Sequence, residues 1–203
     1  MSFLSKSKPI MLSAVLTAAA SVPAAALDMT EKASIKNGDG EGYAEMIRYH
    51  APSQSLFVTA SETGTLERIS MVNPSALGLA TPFDLDGGNV TAVAVHGDLV
   101  AASIKADAAD APGEVKLYDT NGTLLASYPT GALPDNVAFS PDGRYMLTAN
   151  EGEPSDDYSV DPEGNFTLID LANGPASAVV TQISLDGFSA PVGSRIVKPG
   201  KSF

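Results

Sequence analysis

From residue 45 onward three passages of the chain read alike, and self-similarity at a fixed period decides an architecture before any single residue does. The first passage holds β-rich runs at 45–49, 55–60 and 65–69. The second holds runs at 91–95, 99–102, 114–118 and 124–128, and the third at 135–139, 145–149, 165–169 and 179–183. Matching the first runs at Glu45, Thr91 and Asp135 gives steps of 46 and 44 residues, the length of one four-stranded propeller blade. Turn chemistry agrees. Ser140-Pro141-Asp142-Gly143 and Thr120-Asn121-Gly122 put Pro, Asp, Asn and Gly where tight β-turns need a preset or positive φ.

A single such sheet cannot bury both faces, so blades stack around an axis, and small residues let them approach. Ala60, Ala102 and Ala149 are read here as occupants of matching positions. No later stretch sustains a 3.6-residue period, so helices are expected to be scarce. The fold expected is all-β: an incomplete β-propeller of three to four four-stranded blades of the YVTN or WD40 kind. A β-sandwich, which also has short strands at regular spacing, is the alternative.

Residues 1–26 carry the three parts of an export signal: a basic start (Lys6, Lys8), an apolar stretch at 10–20 and a small-residue exit at Ala24-Ala25-Ala26. Eleven apolar residues are too few to span a bilayer as a helix. The chain is therefore divided into a signal peptide (1–26), a flexible lead-in (27–42) and a partial propeller (43–203). The expected location is periplasmic or secreted, from a Gram-negative bacterium. With 12 basic against 24 acidic residues the net charge is −12, and removal of Lys6 and Lys8 leaves −14 (−12 − 2). Such a field is unsuited to nucleic acid, which needs Lys/Arg patches, and better suited to divalent cations or cationic surfaces. The absence of cysteine excludes disulfides, thiolate metal sites and a Cys nucleophile.

Acidic residues are densest between the second and third runs of the third passage, at Glu151, Glu153, Asp156, Asp157, Asp161 and Glu163. Carboxylates interleaved with Gly, Pro and Ser can wrap a hard cation without a helix, so these six are the candidate metal ligands and Ca²⁺ the candidate ion. The competing reading is a solvated acidic loop. Asn37-Gly38-Asp39-Gly40-Glu41-Gly42 begins like an EF-hand loop but has Arg48 at the twelfth position, and is read as part of the lead-in. His50 and His96 fall near the ends of equivalent strands, in neighbouring blades, and are expected as surface turn residues. No Gly-x-Ser-x-Gly elbow, paired-histidine zinc motif or phosphate-cradling loop occurs, so catalytic residues stay unassigned.

The stretch Leu133-Pro134-Asp135-Asn136-Val137-Ala138-Phe139-Ser140-Pro141-Asp142-Gly143, followed by Ala149-Asn150-Glu151-Gly152-Glu153-Pro154 and Asp161-Pro162-Glu163-Gly164, resembles the choice-of-anchor I family. That family includes exported bacterial proteins often labelled alkaline-phosphatase-like, and mesenchyme-specific cell-surface glycoproteins of animals. The resemblance covers nearly all of the chain after the leader. It implies a propeller that continues past residues 193–203 into an acidic Glu-Pro-Glu-Tyr passage absent here, so that this chain is an amino-terminal fragment and later blades of the same propeller are its partners. Two functions follow as expectations: an exported binding or surface scaffold, calcium-stabilised at the 151–163 loop, with an unknown ligand or cell-surface component; or a calcium-dependent phosphomonoesterase or phytase-like esterase.

Overall fold

A computed structural model describes residues 30–34, 44–60, 63–78, 81–155, 157 and 159–186. The leader, the segment 37–42 and the tail 193–203 lie outside the described residues. Three four-stranded sheets make up the described fold, each antiparallel with its strands in chain order. Sheet 1 is β1 (Ile47–His50), β2 (Ser55–Ala60), β3 (Thr65–Ser70) and β4 (Thr81–Pro82). Sheet 2 is β5 (Asn89–His96), β6 (Leu99–Lys105), β7 (Pro112–Asp119) and β8 (Leu124–Ala132), and sheet 3 is β9 (Pro134–Phe139), β10 (Tyr145–Asn150), β11 (Asn165–Asp170) and β12 (Val179–Ser184). The first strands, β1, β5 and β9, lie next to one another in succession. This is the blade stacking of a β-propeller, and the only helix among the described residues is a 3₁₀ turn, Pro175–Ser177.

Two apolar layers hold the sheets together, because alternate residues of each strand point to opposite faces. On β6, Val100, Ala102 and Ile104 join Phe57, Leu66 and Val93 in the layer between sheets 1 and 2. Ala101 turns the other way and joins Ala94, Leu117, Met146 and Ile169 between sheets 2 and 3. Phe83, in the link from β4 to β5, stands edge-on to Phe57 at 5.8 Å and to Tyr118 at 5.2 Å. The Tyr118 hydroxyl donates to the Asp84 carbonyl at 2.7 Å, and the Lys116 ammonium donates to the Leu85 carbonyl at 2.8 Å, so the link is tied down along its length. Burial, then the charges of Asp84 and Glu114, push the Tyr118 phenol well above its ordinary value.

The 140–143 turn forms as expected: Gly143 has φ 72°, its N–H donates to the Ser140 carbonyl, and Asp142 accepts from the Ser140 hydroxyl and the Arg144 N–H. Gly122 closes the β7–β8 turn at φ 93°. Two expectations need correction. The alanines are not equivalent: Ala102 and Ala60 are buried but Ala149 is exposed, because β10 turns Met146, Thr148 and Asn150 toward sheet 2 and Ala149 away from it. His50 is not at the surface but 5% exposed, with Nδ1 bonded to the Ser53 hydroxyl at 2.7 Å and its ring tilted against Phe57.

Candidate functional site

The acidic loop leaves sheet 3 at Asn150 and returns at Asn165, and these two flanking residues are locked to each other. Asn150 Nδ2 donates to Asn165 Oδ1 at 2.6 Å and to Thr167 Oγ1 at 2.8 Å, while Thr148 Oγ1 donates to Asn150 Oδ1 at 2.8 Å. Asn150, Thr148 and Thr167 are all buried, and a satisfied buried polar network of this kind fixes geometry. Above it the loop is pinched. Gly152 sits at φ 64°, and a Cβ there would come within 2.7 Å of the Pro162 carbonyl, a separation no side chain tolerates. The neck is also hung on the neighbouring link: Glu151 N–H donates to Leu133 O at 2.8 Å and Gly152 N–H to Ala132 O at 3.2 Å.

Beyond the neck the candidate ligands divide. Glu151, Glu153, Asp161 and Glu163 line one open cleft of about 800 Å³ together with Asp186. Asp157 instead ties off the loop tip. It accepts from the Ser159 N–H at 3.0 Å, the Ser159 hydroxyl at 2.7 Å and the Ser155 hydroxyl at 2.8 Å, and those donors hold its carboxyl down at about 2. Asp156 lies outside the described residues. Among the described residues no three His, Asp or Glu side chains stand close enough to share a metal ion, so the cleft as it stands is a carboxylate-lined surface rather than a formed cage. Asp186 was missed by sequence reasoning, since it follows β12 and no local pattern links it to a loop more than twenty residues earlier.

A second cleft, of about 330 Å³, opens where this loop meets the β6–β7 loop of sheet 2. Asn89, Lys105, Asp107, Leu133 and Glu153 line it, and Asn89 Nδ2 donates to Asp107 Oδ1 at 3.0 Å. Leu133 is held at φ 49°, in the left-handed region that a branched side chain rarely adopts. Glu153 lines both clefts, so the two loops build one continuous polar surface on which carboxylates outnumber the one lysine. A low-dielectric rim with this sign of charge concentrates cations and repels anions. His96, half-buried, lies tilted against Phe139 at 5.8 Å and lines neither cleft.

Comparison with protein families matches residues 45–199 to the choice-of-anchor I domain. Among solved structures, hydrazine synthase of Kuenenia stuttgartiensis superposes with a TM-score of 0.51 at 16% identity, over 69% of this chain and 42% of that one. A protein described as a 6-phosphogluconolactonase from Bacteroides uniformis superposes with a TM-score of 0.52 at 16% identity, over 73% of this chain and 42% of that one. At such identity the likeness concerns the fold alone. The chain spans 42% of the length of either structure. Comparison with curated proteins gives no match.

Proposed function

Because the chain belongs to the choice-of-anchor I family, we propose that this β-propeller module acts outside the cytoplasm as a binding scaffold whose contact surface is the carboxylate-lined end of sheets 2 and 3. The observation that carries the reading is the gathering of Glu151, Glu153, Asp161 and Glu163 on one cleft that Glu153 joins to its neighbour. Rigid sheets present it, and the pinched neck at Gly152 holds it in place. The partner is a cationic group of a cell-surface component. Closing the ring requires sheets beyond these three, since propellers run from four to eight blades. Export by the 1–26 leader to the periplasm or beyond belongs to the same proposal.

Calcium is the simplest cation to try. Binding of Ca²⁺ by this cleft would draw the four carboxylates together and stabilise the folded chain by mass action. The test is a thermal melt of the purified chain with calcium and with a chelator, beside the variant E151Q/E153Q/E163Q. The scaffold reading expects the wild-type midpoint to rise and the variant to be indifferent. A wild-type midpoint that ignores calcium removes the ion from the proposal. Failure of a polycationic surface to retain the wild type in preference to the variant removes the binding surface itself. Turnover of a phosphate monoester, abolished by the chelator, would favour the esterase instead.

A further inference from the structure

Sheet 3 turns two wholly polar rows toward sheet 2. One crosses β10, β11 and β12 as Asn150, Asn165 and Ser184, the other as Thr148, Thr167 and Gln182, beside the apolar row Met146, Ile169 and Val180. In sheet 2 the matching places on the second strand hold Ala102 and Ile104, both buried and apolar. The polar groups further out in sheet 2 are spent on one another: the Lys116 ammonium stands 3.5 Å from the Glu114 carboxylate, which also accepts from the Ser127 hydroxyl. Seating one sheet on the next therefore does not call for the polar rows of sheet 3, and burying them is costly unless each group finds a partner.

Their hydrogen bonds run one way. The Thr148 hydroxyl donates to Asn150 Oδ1, Asn150 Nδ2 donates to Thr167 Oγ1 and Asn165 Oδ1, and the Thr167 hydroxyl donates to Gln182 Oε1 at 2.9 Å. With both amide oxygens engaged as acceptors, the nitrogens of Gln182 and Asn165 are left as donors at the rim. Gln182 Nε2 has no partner among the described residues, and Asn165 Nδ2 has only the Glu163 carbonyl, at 3.4 Å. The Ser184 hydroxyl accepts from the Asp186 N–H at 2.9 Å and keeps its own proton to give. Gln182, Asn165 and Ser184 line a cleft of about 370 Å³ with Thr130 and Glu163, a volume inside the ~300–1,000 Å³ of small-molecule sites. On the β8 side only glycine fits at Gly131, since a Cβ there would come within 2.3 Å of Asn165 Oδ1. All the walls belong to sheets 2 and 3 and to the loop joining β10 to β11.

We propose that this cleft binds a neutral sugar, two adjacent hydroxyls of which engage the Gln182 and Asn165 amides and the Glu163 carboxylate. A sugar hydroxyl donates and accepts at once, so it answers amide donors and a carboxylate acceptor set side by side, which a simple ion does not. An anion is repelled by Glu163 and by a chain of net charge −12, and a cation meets one carboxylate among several N–H and O–H donors. The chain of bonds from buried Thr148 holds the donors in place before the ligand arrives, so little freedom is lost on binding. This cleft shares Glu163 and Gly164 with the surface proposed for a cationic partner, while Gln182, Asn165 and Ser184 lie outside that surface, so the two can fail separately.

Methyl glycosides of D-glucose, D-galactose and D-mannose, titrated to roughly 100 mM into nitrogen-labelled protein, test it through the side-chain amide NMR signals of Gln182 and Asn165. At least one glycoside is expected to shift both sets of signals. D-glucuronate, alike in skeleton but anionic, should shift them far less at equal concentration. Q182L removes one amide and should weaken binding about tenfold, the loss expected for one hydrogen bond, read from the Asn165 signals. S184I fills the cleft, leaves the chain from Thr148 to Gln182 intact and should abolish the shifts, and it carries the test if circular dichroism shows that Q182L has lost the β fold. E151Q/E153Q, changed outside the cleft, should bind the glycoside as the wild type does. Silence of both amides toward all the glycosides, equal shifts with glucuronate, or undiminished binding in S184I overturns the proposal.

Discussion

Replacing Phe83 by alanine should cost more than any change on the polar rim, because this one side chain bridges sheets 1 and 2 from the link between them. Phe83 is 6% exposed and touches Phe57 and Tyr118 edge-on, at interplanar angles of 78° and 86°. A buried aromatic removes about 150 Å² or more from water, which at ~25 cal/mol per Å² is roughly 4 kcal/mol. That agrees with the ~3–5 kcal/mol found for buried Phe to Ala changes, and each edge-on pair accounts for about 0.5–1.5 kcal/mol of it. Against a stability of about 5–15 kcal/mol for a domain, F83A should move the urea midpoint far down with little change in slope. F83L, which keeps most of the volume but loses both ring contacts, should fall in between. Far-UV circular dichroism follows the transition, with tyrosine fluorescence as a second probe, since the chain has no Trp. A loss of less than about 1 kcal/mol in F83A would refute the bridging role, as would F83L behaving like F83A.

M146A empties a fully buried position between sheets 2 and 3 and should cost about 2–5 kcal/mol; because it lies in a different layer from Phe83, the two losses should add in the double variant, as urea titration would show. G152A forces a Cβ into the left-handed region and against the Pro162 carbonyl, so limited proteolysis should cut within 151–164 faster than in wild type while the strands stay protected. Asp157 has a carboxyl held below its unfolded value, so the order it gives the loop tip is complete above about pH 4 and is lost as pH falls toward 2. A carbon-detected NMR titration should place its inflection near 2, and S159A should raise it.

Strand positions were legible because the runs alternate or are rich in β-branched residues, and eleven of the strands found overlap a run read from sequence. The exception, β4, is two residues long and ends in Pro82, so it carries no period to detect. Ala149 differs from Ala60 and Ala102 because of its place in the strand: Ala60 and Ala102 are the sixth and fourth residues of β2 and β6, whereas Ala149 is the fifth of β10, one place out of step and so on the opposite face. His50 reads as a turn residue because it stands at the end of a β-rich run, while its burial comes from contacts that sequence does not show, the ring against Phe57 and Nδ1 on Ser53. In the candidate site the composition of the loop was plain, but which carboxylates face one cleft was not. Asp157 is withdrawn by two serines near it in sequence, a pairing that an Asx-type turn would have predicted, whereas Asp186 arrives from another connection altogether.

Leu133 is the whole connection between β8 and β9. A single residue, already at an unfavourable φ and with its carbonyl engaged by Glu151, leaves no slack for the outer edge of one sheet to shift against the inner edge of the next. Sheets 2 and 3 are therefore coupled like two leaves on a stiff spine and should open together under force or denaturant. Sheet 1, joined through the six residues 83–88, depends for its seat on side-chain contacts instead, those of Phe83, Tyr118 and Lys116 along that link. Lengthening the chain at Leu133 would loosen that spine without touching a single core side chain.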